Sequence, residues 1–431
     1  MTDEAMEVRD ASAGYASLVD SPTVPEGYKQ TEVGVIPQDW DIATVGSEFT
    51  VQLGKMLDSE RNVGESKPYL GNRAVQWDLI DISDLPTVPM TQSDLKKFRL
   101  KKGDILVCEG GEVGRAAIWN APLNECYYQK ALHRLRPIKG FNSKLMVAIL
   151  RRWADKGVFK NYVTQTSIAH LPRDKFLTIP IPVPPKEEQC AIASTLSDVD
   201  ALLESLDRLI AKKRDIKQAT MQQLLTGEVR LPGFEGEWEK RKLGTIAVIR
   251  SGGTPSTSND EFWNGDIPWC TPTDITGLQG RKYLSATNRS ISDAGLKMSS
   301  AELIPPGSII MTTRATIGEC AINTLPVTTN QGFKNLEPTS ADCEYLYYLM
   351  TTQKQRLLQL CAGSTFLEVG KKQLEIFDLY LPEDVEEQRA IATVLSDMDA
   401  VIETLEQRRA KTASLKQAMM QELLTGRTRL I

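Results

Sequence analysis

Histidine is almost absent from this chain of 431 residues: His133 and His170 are the two it has. Imidazole-based acid–base or metal chemistry is therefore thinly provided. Cysteine occurs seven times, at 108, 126, 190, 270, 320, 343 and 361, an odd number with no C-x-x-C pair. Neither a disulfide framework nor a zinc ribbon is signalled, and a reducing cytoplasm is the expected setting. No run of eighteen apolar residues occurs, and no apolar stretch follows a basic start at the N-terminus, so no membrane span and no export signal are expected. The segment GGEVGRA (110–116) lacks the spacing and the lysine of a P-loop, and no Rossmann-type glycine fingerprint follows a strand. TPTD (271–274) faintly echoes the Pro-containing tetrapeptide of amino-methyltransferases and reads as a strand-end turn. No catalytic constellation and no metal site is expected in this chain.

What is present is an ordinary globular composition, 41% hydrophobic and 25% charged, enough for two or three domains. The net charge of −5 argues mildly against a nucleic-acid partner when the chain is taken whole. Taken by segment, Lys and Arg less Asp and Glu give about −4 for 1–29, about +5 for 30–186, and about −2 for each of 187–231, 232–380 and 381–431. The basic excess is confined to one segment. Residues 1–28, rich in Ser, Ala, Pro and acid, are expected to form a disordered leader.

One long segment occurs twice. Residues 187–231 and 386–430 align without a gap at about 26 of 45 identical positions, which is internal duplication. Apolar residues at Ile192, Leu196, Val199, Leu203, Leu206 and Ile210, and at Ile391, Leu395, Met398, Ile402 and Leu405, follow the alternating steps of a coiled-coil seam. Lys213 and Thr412 interrupt it as a stutter does, and the seam resumes at Ile216, Thr220 and Leu224 and at Leu415, Met419 and Leu423. Gly227 and Gly426 stand where a helix C′ glycine is expected. Each copy is therefore predicted to be a helix of about 40 residues, a rod of about 60 Å. Such a rod cannot bury its own stripe, and the other copy, packed antiparallel about a pseudo-twofold axis, is the expected partner. The carboxylate pairs Asp198/Asp200 and Asp397/Asp399 are expected to serve helix N-terminal charge and solubility, because residues two apart point to different sides.

In front of each helix lie about 150 residues that read as divergent copies of one module. Each opens near a Trp (Trp40, Trp238). Each carries a strand, a glycine turn and a strand, in KKGDILVCEGGEVGRAAI ending at Ile118 and PPGSIIMTTRATIGECAI ending at Ile322, with Gly114 and Gly318 at the turn. Each leaves through an apolar strand containing proline, FLTIPIPVPP or FDLYLP. Between these landmarks the modules disagree: the first has KPYLGNRAVQWDLIDI and the basic run KKFRLKK, the second SGGTPSTSNDEFWNGDIPWCTPTDI and TTNQGFKNL.

These residues carry a resemblance. SGGTPS (251–256), FWNGDIPWCTPTDI (262–275), PPGSIIMTTRATIGECAI with TTNQGFKNL, and above all the doubled EEQ…AIA…LSD.DA…LLTG helix resemble the specificity subunit of type I restriction-modification systems, over essentially the whole chain after about residue 28. The resemblance implies an α/β (α+β) fold of two similar target-recognition domains separated by two long antiparallel coiled-coil helices with pseudo-twofold symmetry. The expected segments are a leader (1–28), a first recognition domain (29–186), a spacer helix (187–231), a second recognition domain (232–380) and a second spacer helix (381–431). It also implies a non-catalytic subunit that binds double-stranded DNA and recruits two methyltransferase subunits and restriction/translocase subunits. No cofactor is expected in this chain; S-adenosylmethionine, ATP and Mg belong to the partners. A freestanding DNA-binding regulator, or a coiled-coil tether without DNA contacts, is the alternative. The acidic leader is not part of the family's pattern.

Two unlike reading domains on a rod predict an asymmetric bipartite target with an unread gap. Phosphate contacts are expected from Lys96, Lys97, Arg99, Lys101 and Lys102, helped by Arg134, Arg136, Arg151 and Arg152, and in the second module from Lys240, Arg241, Lys242 and Arg314. Base reading needs polar side chains on groove-facing loops. Candidates are the loops EGGE (109–112), Tyr128, Gln129 and Lys130, and Thr164 and Ser167 in the first module. In the second they are Gly253, Thr254 and Ser256, then Thr313, Arg314 and Thr316, then Asn330 and Gln331, then Ser364 and Thr365. Methyltransferase docking is expected on repeated, exposed helix residues that core packing does not demand: Glu187, Gln189, Lys212 and Gln218, and their copies Glu386, Gln388, Lys411 and Gln417.

Overall fold

The computed structural model describes residues 24–58, 60, 62–165, 169–361 and 367–430. Most of the expected leader, and with it the question of its order, lies outside these residues. The chain divides into two compact units, residues up to Ser205 together with Arg409–Ile431, and Leu206–Arg408.

In the first unit a hairpin, β1 (Tyr28–Thr31) and β2 (Gly34–Pro37), leads into β3 (Asp41–Thr44) and β4 (Phe49–Leu53). β5 (Glu65–Leu70) and β6 (Thr87–Met90) precede the helix Gln92–Phe98. Then come β7 (Ile105–Cys108), β8 (Ala116–Ile118), β9 (Tyr127–Tyr128) and β10 (Leu132–Pro137). The central sheet is antiparallel in the order β4-β10-β7-β8; β5 pairs with β6 and, in parallel, with β9. Asn142 caps the helix Ser143–Asp155, its Oδ1 accepting from Lys144 N at 3.0 Å and Leu145 N at 3.2 Å. That helix lays Leu145, Met146, Ile149 and Leu150 into the sheet's core. A two-residue pair, β11 (Thr164–Gln165) and β12 (Ala169–His170), follows, and β13 (Pro180–Val183) pairs antiparallel with β3 before the chain enters the first long helix.

The second unit repeats this frame. β14 (Trp238–Lys242) pairs with the exit strand β23, while β15 (Ala247–Ser251), β16 (Trp263–Cys270), β17 (Tyr283–Leu284) and β18 (Arg289–Ile291) follow β14 in the chain. β19 (Ile309–Thr312), β20 (Cys320–Asn323), β21 (Thr328–Thr329) and β22 (Phe333–Pro338) come next, and β23 is Asp378–Pro382. The sheet order β15-β22-β19-β20 matches that of the first unit, with β17 added in parallel at the edge beyond β20.

The long helices are Lys186–Leu224 and Val385–Leu423, 39 residues each. Gly227 and Gly426 follow them with φ of +74° and +67°, the left-handed cap that glycine adopts without a Cβ clash. The helix ends lie inside the unit cores. In the first unit Ile192 and Leu196 from one helix and Met420, Leu423 and Leu424 from the other join the same apolar cluster; in the second, Leu224 and Leu225 join Ile391 and Leu395. The helices run antiparallel within each unit, since Asp200 meets Lys416 while Glu188, twelve residues earlier, meets Arg429 from beyond the other helix's end.

Beyond the stutter the seam departs from expectation. Ile216 and Leu415 are 41% and 55% exposed. The inward positions there are Lys217 and Lys416, whose ammonium groups pair with Asp399 and Asp200 at 2.5 Å. Those two aspartates are thus held in ion pairs between helices, because the shifted phase turns a lysine toward each of them.

Candidate nucleic-acid interface

At one end of each central sheet the strand-connecting loops converge. In the second unit Gly252 sits so close to the loop after β21 that a Cβ there would lie 1.8 Å from the Asn330 carbonyl oxygen. Gly253 N donates to Thr329 O at 2.8 Å, Thr313 N to Gly332 O at 2.7 Å, and Val369 N to Thr313 O at 3.1 Å, stitching four loops together. Asn330 N reaches Cys270 O at 3.1 Å, which brings in the loop after β16. The first unit has the same stitching with different residues. A Cβ on Gly54 would lie 2.3 Å from Tyr128 O; Glu109 N donates to Ala131 O at 2.9 Å, Leu171 N to Glu109 O at 2.8 Å, and Gln129 N to Leu70 O at 3.0 Å. A shared backbone scaffold with unlike side chains sits at corresponding places in the two units.

In the second unit the exposed side of this cluster carries Ser256, Arg314 and Gln331, with Thr254, Thr316 and Asn330 half-buried. Thr254 Oγ1 donates to the Gln331 amide oxygen, fixing one loop against another. Arg314 Nη2 lies 2.7 Å from Glu368, which the buried Lys334 also approaches at 3.6 Å. Desolvation pushes the Lys334 ammonium below its usual range against the pull of Glu368. Behind the SGGTPS loop, Trp263 and Trp269 meet edge to face with centroids 4.9 Å apart, and the Arg289 guanidinium stacks 4.0 Å from the Trp263 centroid. Their ring nitrogens donate to Ser256 O at 3.1 Å and Gly253 O at 3.0 Å, so the stack braces that loop.

Several expected contacts are overturned. Tyr128 is wholly buried, its hydroxyl directed to Gln52 O at 3.4 Å, and forms the floor of the first cluster. Thr313 is wholly buried and donates to Gly332 O at 3.1 Å. Gly253 is buried with no room for a Cβ against Ala301 N at 2.4 Å. These three support the loops from beneath. Gln129 is half-buried and Lys130 and Thr164 are exposed in the first cluster. Ser167, Ser364 and Thr365 lie outside the described residues.

The basic run is not one patch. Lys96 and Lys97 are exposed in the last turn of the Gln92–Phe98 helix, whose first turn is tied to the loop cluster by Lys55–Asp94 at 2.8 Å. Arg99 Nη2 donates to Asn124 O at 3.0 Å. Lys101 and Lys102 precede β7, whereas the cluster gathers at the far end of that strand. Among the described residues, none of the five forms an ion pair. The helpers are largely spoken for: Arg134 is buried against Gln52 Oε1, Arg136 forks onto Asp104 at 2.7 Å twice, Arg151 meets Asp78 at 2.8 Å, and Lys240 meets Asp378 at 2.8 Å. Burial also lowers the Arg152 guanidinium's affinity for its proton. Sequence reading missed Lys55, Trp263 and Arg289, which lie outside any charge run.

On the helices, Glu187, Lys212, Gln218, Glu386, Lys411 and Gln417 are exposed. Gln189 and Gln388 are not: each is 2% exposed, accepting at 3.0 and 2.9 Å from Asn142 N and Asp342 N and donating at 2.9 Å to Pro184 O and Pro382 O. They tie the helix start to its own domain and present nothing outward. The glutamate before each is buried as well. Trp40 Nε1 donates to Glu188 at 2.8 Å and Arg429 forks onto it; Arg230 forks onto Glu387 in the same way. In the second unit Gln218 lines an open groove of about 1380 Å³, where Lys282, Tyr283 and Ser396 converge on Glu344. Among the described residues no group of three or more His, Cys, Asp or Glu could hold a metal ion, and no helix is long and apolar enough to cross a membrane.

Two copies of one frame that present unlike loops are the architecture of a dual-recognition protein. The family model for the type I restriction modification DNA specificity domain matches residues 37–212 and again 235–413, and the chain belongs to that family. It is similar to the MjaIX specificity subunit of Methanocaldococcus jannaschii, 41% identical over 170 residues that span 39% of each chain. A putative MjaX specificity subunit of the same organism is 25% identical over 94% of this chain and 97% of its own. The fold matches the type I S subunit structure from M. genitalium with a TM-score of 0.55 at 16% identity, covering 89% of this chain and 96% of that one. It also matches a chain solved in a study of complex assembly and conformational transition of the type I restriction-modification system, with a TM-score of 0.60 at 19% identity, covering 91% and 99%. The chain is a DNA-specificity subunit, and catalysis lies in other subunits of such systems.

Proposed function

We propose that the chain reads an asymmetric, bipartite site in double-stranded DNA, one half with each loop cluster, and docks two methyltransferase subunits, with restriction/translocase subunits joining the complete assembly. The observation that carries this reading is the pair of equivalently stitched loop clusters with unlike side chains. Equal scaffolds place two readers alike, and unlike side chains make the half-sites differ. Docking is assigned to the exposed repeated residues Glu187/Glu386, Lys212/Lys411 and Gln218/Gln417, two copies of one patch suited to two copies of one partner. The solved relative from an assembling type I system supports that assignment. The partners supply S-adenosylmethionine, ATP and Mg chemistry, and the assembly works in the cytoplasm.

The test is native long-read sequencing of DNA from cells with and without the gene, scored for methylated adenine. A bipartite, asymmetric motif that vanishes with the gene is expected. An unchanged methylome, in cells expressing the chain and its partner subunits, would overturn the reading.

A second expected result concerns phosphate contacts. Replacing Lys96, Lys97, Arg99, Lys101 and Lys102 with glutamine should reduce the slope of log K against log salt by roughly 2 to 3, at about 0.9 per lost phosphate contact. The contribution is expected from the three residues on the cluster side of β7. Titrations of a target duplex at several salt concentrations check it; an unchanged slope removes the run from the DNA interface.

A further inference from the structure

The carboxylates of the two loop clusters divide into those that have protein donors and one that has none. In the first unit Glu112 accepts from Trp77 Nε1 at 2.9 Å and from Arg115 Nη1 at 2.9 Å. In the second, Glu368 is held by Arg314 and Lys334. Glu109 differs. Its backbone is fixed on both sides, the N–H to Ala131 and the carbonyl from Leu171, and its side chain is half-buried, yet among the described residues its carboxylate has neither a hydrogen bond nor an ion pair. Burial pushes its carboxyl above the usual range, while His170 and Lys130 on adjoining loops pull the other way.

The corresponding position in the second unit is Thr313. Its N–H bonds Gly332 O at 2.7 Å and its carbonyl accepts from Val369 N at 3.1 Å, as in the first unit, but its hydroxyl is spent on Gly332 O. The scaffold is common; an acceptor without a donor stands in one unit and a satisfied hydroxyl in the other.

A carboxylate facing a polyanion is repelled unless it meets a donor. The base edges offer such donors in the exocyclic amino groups of cytosine and adenine. Adenine places its N7 acceptor beside the amino group, where it would oppose the second carboxylate oxygen; cytosine places a C–H there. We propose, building on the reading of the loop clusters as DNA-binding, that Glu109 is a specificity-determining residue of the first unit, accepting a hydrogen bond from a cytosine amino group in its half-site.

The wild-type methylome supplies the target sequence. The assembled complex carrying Glu109→Gln is then titrated with that duplex and with duplexes substituted one base pair at a time. Discrimination should fall about tenfold or more at one C·G pair of one half-site, and stay as in the wild type at every other position. Loss of discrimination at an A·T pair instead would overturn the cytosine assignment, and uniform weakening, or no change anywhere, would overturn the role altogether. Glu109→Asp keeps the charge on a shorter arm and is expected to weaken binding through the same base pair; if Glu109→Gln does not accumulate, that variant decides between the same outcomes. Wild-type cells with no bipartite motif would instead sink the DNA-reading function itself, and this assignment with it.

Discussion

Arg429→Ala is expected to lower the melting temperature of the chain by roughly 10 °C. Glu188 is fully buried, and its two oxygens take Arg429 Nε at 2.7 Å, Arg429 Nη2 at 2.9 Å and Trp40 Nε1 at 2.8 Å. Removing the guanidinium leaves a buried carboxylate with the indole as its main donor. Breaking a buried pair from one side costs about 3 kcal/mol or more, and a unit of this size loses about 2 to 4 °C per kcal/mol. The same guanidinium forks onto Asp39 at 3.0 and 2.7 Å, and that bond holds the Asp39 carboxyl below its usual range. Asp39 is exposed and adds little. Adding Glu188→Gln to Arg429→Ala should recover part of the loss, because it removes the stranded charge. Calorimetry on the three variants checks this; a double variant no better than Arg429→Ala would mean the arginine acts through packing over Trp40 rather than by charge.

Gly252→Ala is expected to cost far more in DNA recognition than in stability. Its Cβ would lie 1.8 Å from Asn330 O, 2.4 Å from Thr329 Oγ1 and 2.6 Å from Asn330 C, so the backbone carrying Asn330 and Gln331 must move. Overpacking of this kind costs about 1 to 3 kcal/mol of stability. Displacing two base-facing amides forfeits contacts of about 1 to 3 kcal/mol each, a loss of roughly tenfold to a thousandfold in specific affinity. Gly236, with nothing within 4 Å of an added Cβ and no positive φ, is the control and should be silent. Anisotropy titrations against the target duplex, with thermal melts alongside, separate the two effects. Unaltered binding by a folded Gly252→Ala protein would take this loop out of the interface.

Local pattern made much of the architecture legible. The doubled EEQ…LLTG segment announced two helices, the seam residues Ile192, Leu196, Leu206 and Ile210 are buried as their spacing requires, and Gly227 and Gly426 cap where expected. Glycine-rich and polar loops were legible as loops. The stutter was also visible, but not its outcome: with Ile216 and Leu415 turned outward, what faces inward is a lysine whose aspartate lies 182 residues away for Lys217.

The site was legible as a set of segments and not as a surface. SGGTPS, TTRAT and TTNQ do converge, yet Gly253 and Thr313 lie beneath the loops they belong to, and Tyr128 lies beneath its counterpart. A loop's composition shows which chemistry it carries; which of its side chains face outward depends on the loop it closes against, which lies elsewhere in the chain.

Sequence by itself determined the duplication, the two helices, the common frame and the unlike loops between its landmarks, because each follows from periodicity, caps and turns within a few residues. Tertiary structure decided which of the repeated residues are inside. Glu188 and Gln189 look like surface repeats until Trp40, Asn142 and Arg429 close over them, from 148, 47 and 241 residues away. Burial at these positions is set by side chains that only the folded chain brings together, and no local pattern encodes it.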